Sequence, residues 1–268
     1  MKEYQELNIK KVSLFDNFVI SNLSICCLLY IKLSLKFILN FLGLKTYSFR
    51  KDSVMNDILK KSWSSFTKDS ANNYLKGFGN GSDYSKQIVS NILEKMSIND
   101  KNLSVIEFGC GNAQLLTTIL ENDIVLNYTG VDFSRSLLDV ARKNFSSHNF
   151  DFILDDIENL TNIKKRYTVG IYSHVIEMLS SPEKFLMHAK SLCDILIIRF
   201  FEPPKYKYYT VELKNMLISE NSEIQKPYLR RKISKDFYRY ILTKLECSKV
   251  DIYVDHTSND EVHVLYFK

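Results

Sequence analysis

The sequence predicts an α/β fold with a mostly parallel sheet covered by helices on both faces. From residue 84 onward, short apolar runs alternate with stretches of helical periodicity, which is typical of strands joined by crossover helices. One apolar run leads through two glycines into a helix. The last two runs, 248–254 and 261–267, alternate polar and apolar residues about a turn-like segment, which predicts an antiparallel hairpin at the end of the chain.

The predicted elements follow one another in a regular order. Helices are predicted at residues 84–96, 112–122, 134–145 and 181–192. Strands are predicted at residues 103–108, 127–132, 149–154, 167–173 and 194–200. With the terminal hairpin, the sheet has seven strands.

Residues 1–54 differ in character from the rest and are predicted to form an N-terminal helical extension to a main domain at 55–268. The apolar run 18–44 is long enough to cross a membrane. Its polar residues, Lys32 and Lys36 among them, fall mainly on one side of a helical projection, so a long amphipathic helix is expected instead. Three interpretations stay open: peripheral membrane contact, packing on the domain or a partner, or a weakly ordered upstream segment.

Charge and cysteine content exclude several classes of function. Residues 1–54 hold 8 Lys and Arg against 4 Asp and Glu, which leaves 28 against 27 for the remaining chain. A nearly neutral body does not favour nucleic acid as a partner. The five cysteines form no CxxC pair and no Cys/His ligand spacing, so we expect a reducing, cytoplasmic setting and no metal site. Association with a membrane surface through residues 18–44 is the alternative for localisation.

Residues 105–113, with the sequence VIEFGCGNA, carry the strongest chemical signal. An apolar strand runs into Glu107 and then into Gly109 and Gly111, before a helix. Glycine lets the backbone turn tightly and approach a ligand closely, and a helix N-terminus offers unpaired N–H groups. Asp132 ends the next strand, 21 residues after Gly111, where a carboxylate can accept hydrogen bonds from the hydroxyls of a ribose.

These residues resemble the class I, Rossmann-like methyltransferases that use S-adenosylmethionine, in the branch that acts on small molecules. The first motif of that family is an acidic residue followed by GxGxG. This chain has Glu107, Gly109 and Gly111, with Ala113 in place of the third glycine. The resemblance covers about residues 84–268 and extends to the segments LDDIENL and YSHVIEML and to the terminal hairpin.

The resemblance implies methyl transfer with S-adenosyl-L-methionine as cofactor and S-adenosyl-L-homocysteine as product. It also implies roles for individual residues. Glu107 is expected near the methionine amino group through the glycine loop, and Asp132 at the ribose. Asp156, which fits better than Asp155, is expected at the adenine amino group. Phe133 and Ile157 are expected to sandwich the adenine ring, with a plain core role as the alternative.

The chemistry of methyl transfer leaves a small role for acid–base groups. The sulfonium donor is already activated, so proximity and in-line alignment supply much of the rate. A base helps where the acceptor is a hydroxyl. His174, which follows the fourth strand, is the predicted base, with shaping of the pocket as the alternative. Glu177 is expected to orient His174 or to contact the substrate, unless it is merely an acid at a helix start.

Two further regions are candidates for the acceptor pocket. Residues 74–84, YLKGFGNGSDY, combine aromatic residues with three glycines and resemble the lid of small-molecule methyltransferases, with a surface loop as the alternative. Residues 226–239 hold six basic residues against Asp236. This second region is either a solvated basic face or a site for phosphate, which arginine binds with two parallel hydrogen bonds.

The sequence therefore predicts methyl transfer to a small-molecule acceptor, at oxygen rather than nitrogen. A phosphorylated or nucleotide-activated precursor of a surface glycan is the hypothesis for that acceptor. The alternatives are a methyltransferase for a lipid or macromolecule, and a non-catalytic domain of the same fold that binds a nucleoside or partner. An NAD-dependent enzyme is disfavoured, because Gln114 stands where a full GxGxxG would have its last glycine.

Overall fold

The computed structural model describes residues 84–160, 162–217 and 225–267, with the backbone alone for residues 211, 213–217 and 225–229. The predicted extension with its amphipathic helix, its boundary at residue 54, and nearly all of the 74–84 lid lie outside these residues and stay predictions. Among the helices that the structure describes, none is long and apolar enough to cross a membrane.

The described chain contains five α-helices and nine strands. The helices are α1 (Tyr84–Asn99), α2 (Gln114–Leu120), α3 (Arg135–Asn144), α4 (Pro182–Leu192) and α5 (Lys235–Lys244). The strands are β1 (Ser104–Phe108), β2 (Asn127–Asp132), β3 (Asp151–Leu154), β4 (Tyr167–Ser173), β5 (Cys193–Phe200), β6 (Thr210–Leu217), β7 (Gln225–Lys232), β8 (Cys247–Val254) and β9 (Glu261–Phe267). A short 3₁₀ helix, Ile176–Met178, follows β4.

Seven strands form one sheet in the order β3-β2-β1-β4-β5-β9-β8. The five strands from β3 to β5 pair in parallel, and β9 and β8 pair antiparallel at the other edge. The predicted seven-stranded, mostly parallel sheet with an antiparallel C-terminal hairpin is confirmed. The strand order reverses between β1 and β4, and ligands of open α/β sheets bind at the carboxyl ends of the strands at such a point.

Side chains of the central strands pack on both faces of the sheet. Along β1, Val105 packs in one core with α1 and α2, whereas Ile106 and Phe108 pack in the other with α4 and α5. Successive side chains of a strand point to opposite faces. A strand buried on both sides therefore appears in the sequence as a mainly apolar run, which in β1 is interrupted by Glu107.

Helix α2 is shorter than the predicted 112–122. It begins at Gln114 because Ala113 has φ 62° and ψ 41°, in the left-handed region, and a helix of L-residues cannot continue through that conformation. It ends at Leu120, shortly before Asp123, which also has a positive φ of 53°. The extra residues at each end therefore belong to turns, and the first turn is part of the glycine loop.

The β6–β7 hairpin was not predicted. The two strands pair antiparallel along their full lengths and form a separate small sheet. Together with the start of α5, β7 occupies the segment 226–239, which the sequence marked only as basic. A strand containing Pro227 and several cations departs from the usual composition of strands, so its pattern did not stand out.

Candidate active site

The loop after β1 is built from three residues with left-handed backbone. Gly109, Gly111 and Ala113 have φ values of 74°, 56° and 62°. The N–H groups of Gly109 and Cys110 both donate to the carbonyl oxygen of Val131, at 2.7 and 3.1 Å. The loop is therefore fixed to the carboxyl end of β2, and glycine is favoured at its first two turning points because it adopts positive φ without strain.

The two glycines differ in the space beside them. A Cβ on Gly109 would lie 2.8 Å from Val175 Cγ2 and 3.6 Å from Ile157 Cδ1. Among the residues that the structure describes, the nearest neighbour of a Cβ on Gly111 would be Leu137 Cδ1, at an unstrained 3.9 Å. Gly109 is thus packed against the segment that follows β4, whereas the described part of the chain leaves more room beside Gly111.

Asp132 connects the loop to the end of β2. Its Oδ2 accepts a hydrogen bond from the Gly111 N–H at 2.9 Å, and its Oδ1 accepts one from the Ser134 N–H at 2.8 Å. The side chain is buried. Burial raises the pKa of Asp132 to about 6, although these backbone hydrogen bonds favour the ionised form. The structure thus brings the predicted ribose-binding acid into contact with the predicted glycine loop.

Glu107 lies on β1 next to Asp132 and is also buried. Its Oε2 accepts a hydrogen bond from Tyr128 Oη at 2.5 Å. Burial raises its pKa to about 7, and the charge of Asp132 adds to this, whereas Tyr128 and Arg199 oppose it. Two buried carboxyls with raised pKa values form a site that a cation, such as an amino group, would stabilise.

The other predicted cofactor contacts lie near this loop. Phe133 follows β2 and is half-buried, and Ile157 is buried and packs in the core. Asp156 Oδ1 accepts the Glu158 N–H at 3.0 Å, and Asp155 Oδ1 accepts the Asp156 N–H at 2.9 Å. The structure gives both carboxylates local roles in the loop after β3. The assignment of Asp156 to adenine stays a prediction.

His174, the predicted base, lies directly after β4 in a strained conformation. Its φ is 57°, a left-handed value that is uncommon outside glycine. Its backbone N–H donates to the carbonyl oxygen of Arg199 at 2.9 Å. Its Nε2 lies 2.7 Å from Asp260 Oδ2, and its ring meets Phe201 edge-on, with 5.3 Å between centroids. The next residue, Val175, is the one that packs against Gly109.

Asp260 was missed by sequence reasoning. It lies in the turn between β8 and β9, within a stretch that shows only turn-like composition, so no local signal set it apart. Its buried carboxylate also accepts a hydrogen bond from Ser85 Oγ at 2.9 Å and lies 3.2 Å from Arg199 Nη2. This hydrogen-bond partner of His174 therefore comes from the far end of the chain.

The prediction that Glu177 orients His174 is not what the structure shows. Glu177 is buried in the 3₁₀ helix, where its Oε1 accepts the N–H groups of Phe201 and Glu202, at 2.7 and 3.1 Å. Within the part of the chain that the structure describes, its Oε2 has no hydrogen-bond partner. Burial raises the pKa of Glu177 to about 7. Its predicted contact with the substrate stays a prediction.

Three cations of β7, Arg230, Arg231 and Lys232, have partners within the protein. Arg230 Nη1 lies 3.3 Å from Glu202 Oε1, and Lys232 Nζ lies 2.8 Å from Glu212 Oε1. Arg231 is buried and donates to the Met178 carbonyl oxygen at 3.0 Å. These contacts place β7 against the segment that follows β4, and they weaken the expectation of a phosphate site.

Comparison with known proteins identifies the family. A family described as a methyltransferase domain matches residues 99–250, which is more than half of the chain and includes the glycine loop, Asp132 and His174. The chain belongs to this methyltransferase family. The prediction of a class I, S-adenosylmethionine-dependent methyltransferase is thereby confirmed at the level of the family, while the residue assignments stay predictions.

One curated relative matches this methyltransferase over part of its length. A malonyl-[acyl-carrier protein] O-methyltransferase from Halalkalibacterium halodurans is 32% identical over 96 residues, which are 34% of this chain and 35% of that protein. The chain thus matches about a third of the length of this curated relative.

Solved structures of methyltransferases share the fold. An amino pentose methyltransferase from Micromonospora echinaspora, solved with S-adenosylmethionine bound, is 10% identical with a TM-score of 0.55 and covers 76% of this chain and 98% of its own. A magnesium protoporphyrin IX methyltransferase from Synechocystis, also with the cofactor bound, is 15% identical with a TM-score of 0.54, and it covers 83% and 100%. The acceptors named for these proteins differ widely, so they do not indicate which acceptor this chain uses.

Proposed function

We propose that this protein transfers a methyl group from S-adenosylmethionine to an oxygen of a small-molecule acceptor. The observation that carries the proposal is the position of His174. It lies in contact with a buried carboxylate, and the residue after it packs against the glycine loop. A base in that position serves an acceptor that must lose a proton, as a hydroxyl does.

The cofactor side is supported by three features at the carboxyl ends of β1 and β2. Within the described part of the chain, no atom crowds the position of a Cβ on Gly111, which suits a ligand that lies close to the backbone. The Glu107 carboxyl suits the amino group of the methionine moiety, and the Asp132 carboxylate suits a ribose hydroxyl. When bound there, S-adenosylmethionine supplies a methyl group already activated by the positive sulfur.

The acceptor would lie over the carboxyl ends of β4 and β5. His174 and Glu177 follow β4, Phe201 follows β5, and β7 packs beside them. In this arrangement His174 takes the proton of the acceptor hydroxyl. Contact of Glu177 with the acceptor has less support, because its carboxyl is buried and accepts the N–H groups of Phe201 and Glu202.

A sugar-type acceptor, such as a precursor of a surface glycan, is part of the proposal. The amino pentose named for the Micromonospora relative supports this class. A phosphorylated or nucleotide-activated form has less support, because Arg230 and Lys232 already lie in ion pairs with Glu202 and Glu212. Acceptors without phosphate should therefore be tested beside those with it.

Calorimetric titration with S-adenosylhomocysteine, with NAD as the control ligand, tests the cofactor site. We expect binding of the former alone, and at least tenfold weaker binding in Asp132→Ala, because the carboxylate accepts hydrogen bonds from both the loop and the ribose. Asp139→Ala is the matched control, since Asp139 is an exposed acid on α3 in a surface ion pair. Unchanged affinity in Asp132→Ala would contradict the assignment of the site.

Transfer of a labelled methyl group to a panel of acceptors tests the chemistry. The panel pairs hydroxyl-bearing sugars, their amino analogues and their nucleotide-activated forms with a malonyl thioester. We expect transfer to oxygen, reduced roughly 10²- to 10⁴-fold in kcat/KM by His174→Gln. Transfer to amino groups alone, or full activity of His174→Gln, would refute oxygen transfer with His174 as base.

A further inference from the structure

We infer that Asp260 is a positioning residue for this reaction: its carboxylate holds the His174 ring and stabilises the imidazolium that forms when the acceptor loses its proton. The inference rests on the proposed function, in which His174 is the base. It adds a residue of the β8–β9 turn, 86 positions along the chain from His174.

Asp260 is held in place from several directions. Its Oδ2 lies 2.7 Å from His174 Nε2, 2.9 Å from Ser85 Oγ and 3.2 Å from Arg199 Nη2. Ser85 also receives a hydrogen bond from Arg199 Nε, at 2.7 Å. The backbone N–H of Ser85 donates to Asp255 Oδ2 at 2.9 Å, which fixes the start of α1 to the turn that holds Asp260. The carboxylate therefore has little freedom to turn away from the histidine.

The surroundings keep Asp260 ionised. Although burial by itself raises a carboxyl pKa, the hydrogen bonds from His174 and Ser85 and the charge of Arg199 hold the pKa of Asp260 below its ordinary value. Arg199 is itself almost fully buried, and it forms an ion pair with this carboxylate. The histidine thus faces a carboxylate that favours its ionised form and that is also paired with Arg199 through the same oxygen, Oδ2.

Two features of His174 indicate more than packing. Its backbone has the left-handed φ of 57°, and such strain in residues other than glycine concentrates at functional sites. Its ring keeps 27% of its surface exposed, whereas the Asp260 side chain keeps 3%. A pair with one buried carboxylate and one partly exposed imidazole, beside the glycine loop, has the arrangement of a base and the group that orients it.

In the proposed step, Nε2 stays bonded to Asp260, so the other ring nitrogen, Nδ1, is assigned to the acceptor. The acceptor O–H bond breaks, its proton goes to His174 Nδ1, and the oxygen electron pair forms the new bond to the methyl carbon. The methyl–sulfur electron pair stays on sulfur, which becomes neutral. Throughout the step, the Nε2–H group of His174 donates to Asp260, and the charge of Asp260 stabilises the imidazolium. The imidazolium then releases the proton from Nδ1 to water.

The wild-type protein provides the first test, independent of activity. In ¹⁵N-histidine NMR spectra at pH 8, we expect His174 as the tautomer with hydrogen on Nε2, because that nitrogen faces a carboxylate. His174→Gln assigns the signal. An Nδ1–H tautomer, or an average of the two, would overturn the inference even if the proposed function fails in the acceptor assays.

Variants then separate orientation from simple stability. Asp260→Asn keeps the shape and removes the charge, so the acid limb of the kcat/KM profile should move to lower pH by about one unit or more. The matched control, Asp251→Asn, makes the same change at an acid of β8 that pairs with Lys249 and does not contact His174, so its acid limb should not move. A shift of the same size in both variants would overturn the inference.

A double-mutant cycle completes the test. Asp260→Asn should lower kcat/KM at pH 7 by roughly tenfold or more in the wild type, and by less than about threefold in His174→Gln, because its effect passes through the histidine. Equal losses in both backgrounds would overturn the inference. Binding of S-adenosylhomocysteine should stay within threefold in all these variants, so a failure of the cofactor site remains distinguishable.

Discussion

Substitution of the two loop glycines with alanine should have different consequences, although both residues have left-handed backbone. At Gly109, a Cβ would lie 2.8 and 3.1 Å from the two methyl carbons of Val175. The backbone term costs alanine about 1 kcal/mol, and insertion of a methyl group into a packed site typically costs a further 1–3 kcal/mol. Gly109→Ala should therefore lower the free energy of unfolding by about 2–4 kcal/mol.

Gly111→Ala is the matched comparison. With φ 56° it carries a similar backbone cost, but the nearest described neighbour of its Cβ would be Leu137 Cδ1 at 3.9 Å. We expect a loss of about 1 kcal/mol in the free energy of unfolding. The new methyl group would instead occupy the space proposed for the cofactor, so affinity for S-adenosylhomocysteine should fall at least tenfold in a protein that remains folded.

Urea denaturation and calorimetric titration of the two variants check both parts. Gly109→Ala should be less stable than Gly111→Ala by about 1–3 kcal/mol, the size of the overpacking term. Equal losses of stability would show that Val175 yields to the new methyl group. Unchanged affinity in Gly111→Ala would refute the placement of the cofactor beside that glycine.

Three further predictions concern buried acids and a helix start. The pKa values of Glu107 and Asp132 are raised to about 7 and 6, so binding of S-adenosylhomocysteine should favour their ionised forms and release protons between about pH 5 and 7. A calorimetric binding enthalpy that does not depend on the ionisation enthalpy of the buffer would contradict this. Glu177 has a folded pKa of about 7 against 4.5 when unfolded, so its charge costs stability as pH rises through that window. Glu177→Gln should then stabilise the protein by up to about 3 kcal/mol at pH 8 and little at pH 4.5, and equal urea midpoint shifts at both pH values would exclude it. Ser234 Oγ accepts the Phe237 N–H at the start of α5, so Ser234→Ala should lose about 1 kcal/mol in urea denaturation, and no loss would show that the cap contributes nothing.

The order of the seven main-sheet strands along the chain, the glycine loop and the methyltransferase family could all be predicted from the sequence. These features are local. A buried strand, a turn that needs positive φ and a helix each occupy consecutive residues, so hydrophobic period and residue type reveal them. The positions of Glu107 and Asp132 followed as well, because both lie at the ends of recognisable neighbouring strands.

The rest of the site became apparent only from the packing of the folded chain. It showed that Asp260, not Glu177, contacts His174, and that Ser85 and Arg199 share the same carboxylate. It also revealed the β6–β7 hairpin. These contacts join residues far apart in sequence. Local periodicity reports which face of an element is buried, but the partner of a polar side chain is set by how the elements pack, and no local pattern records that packing.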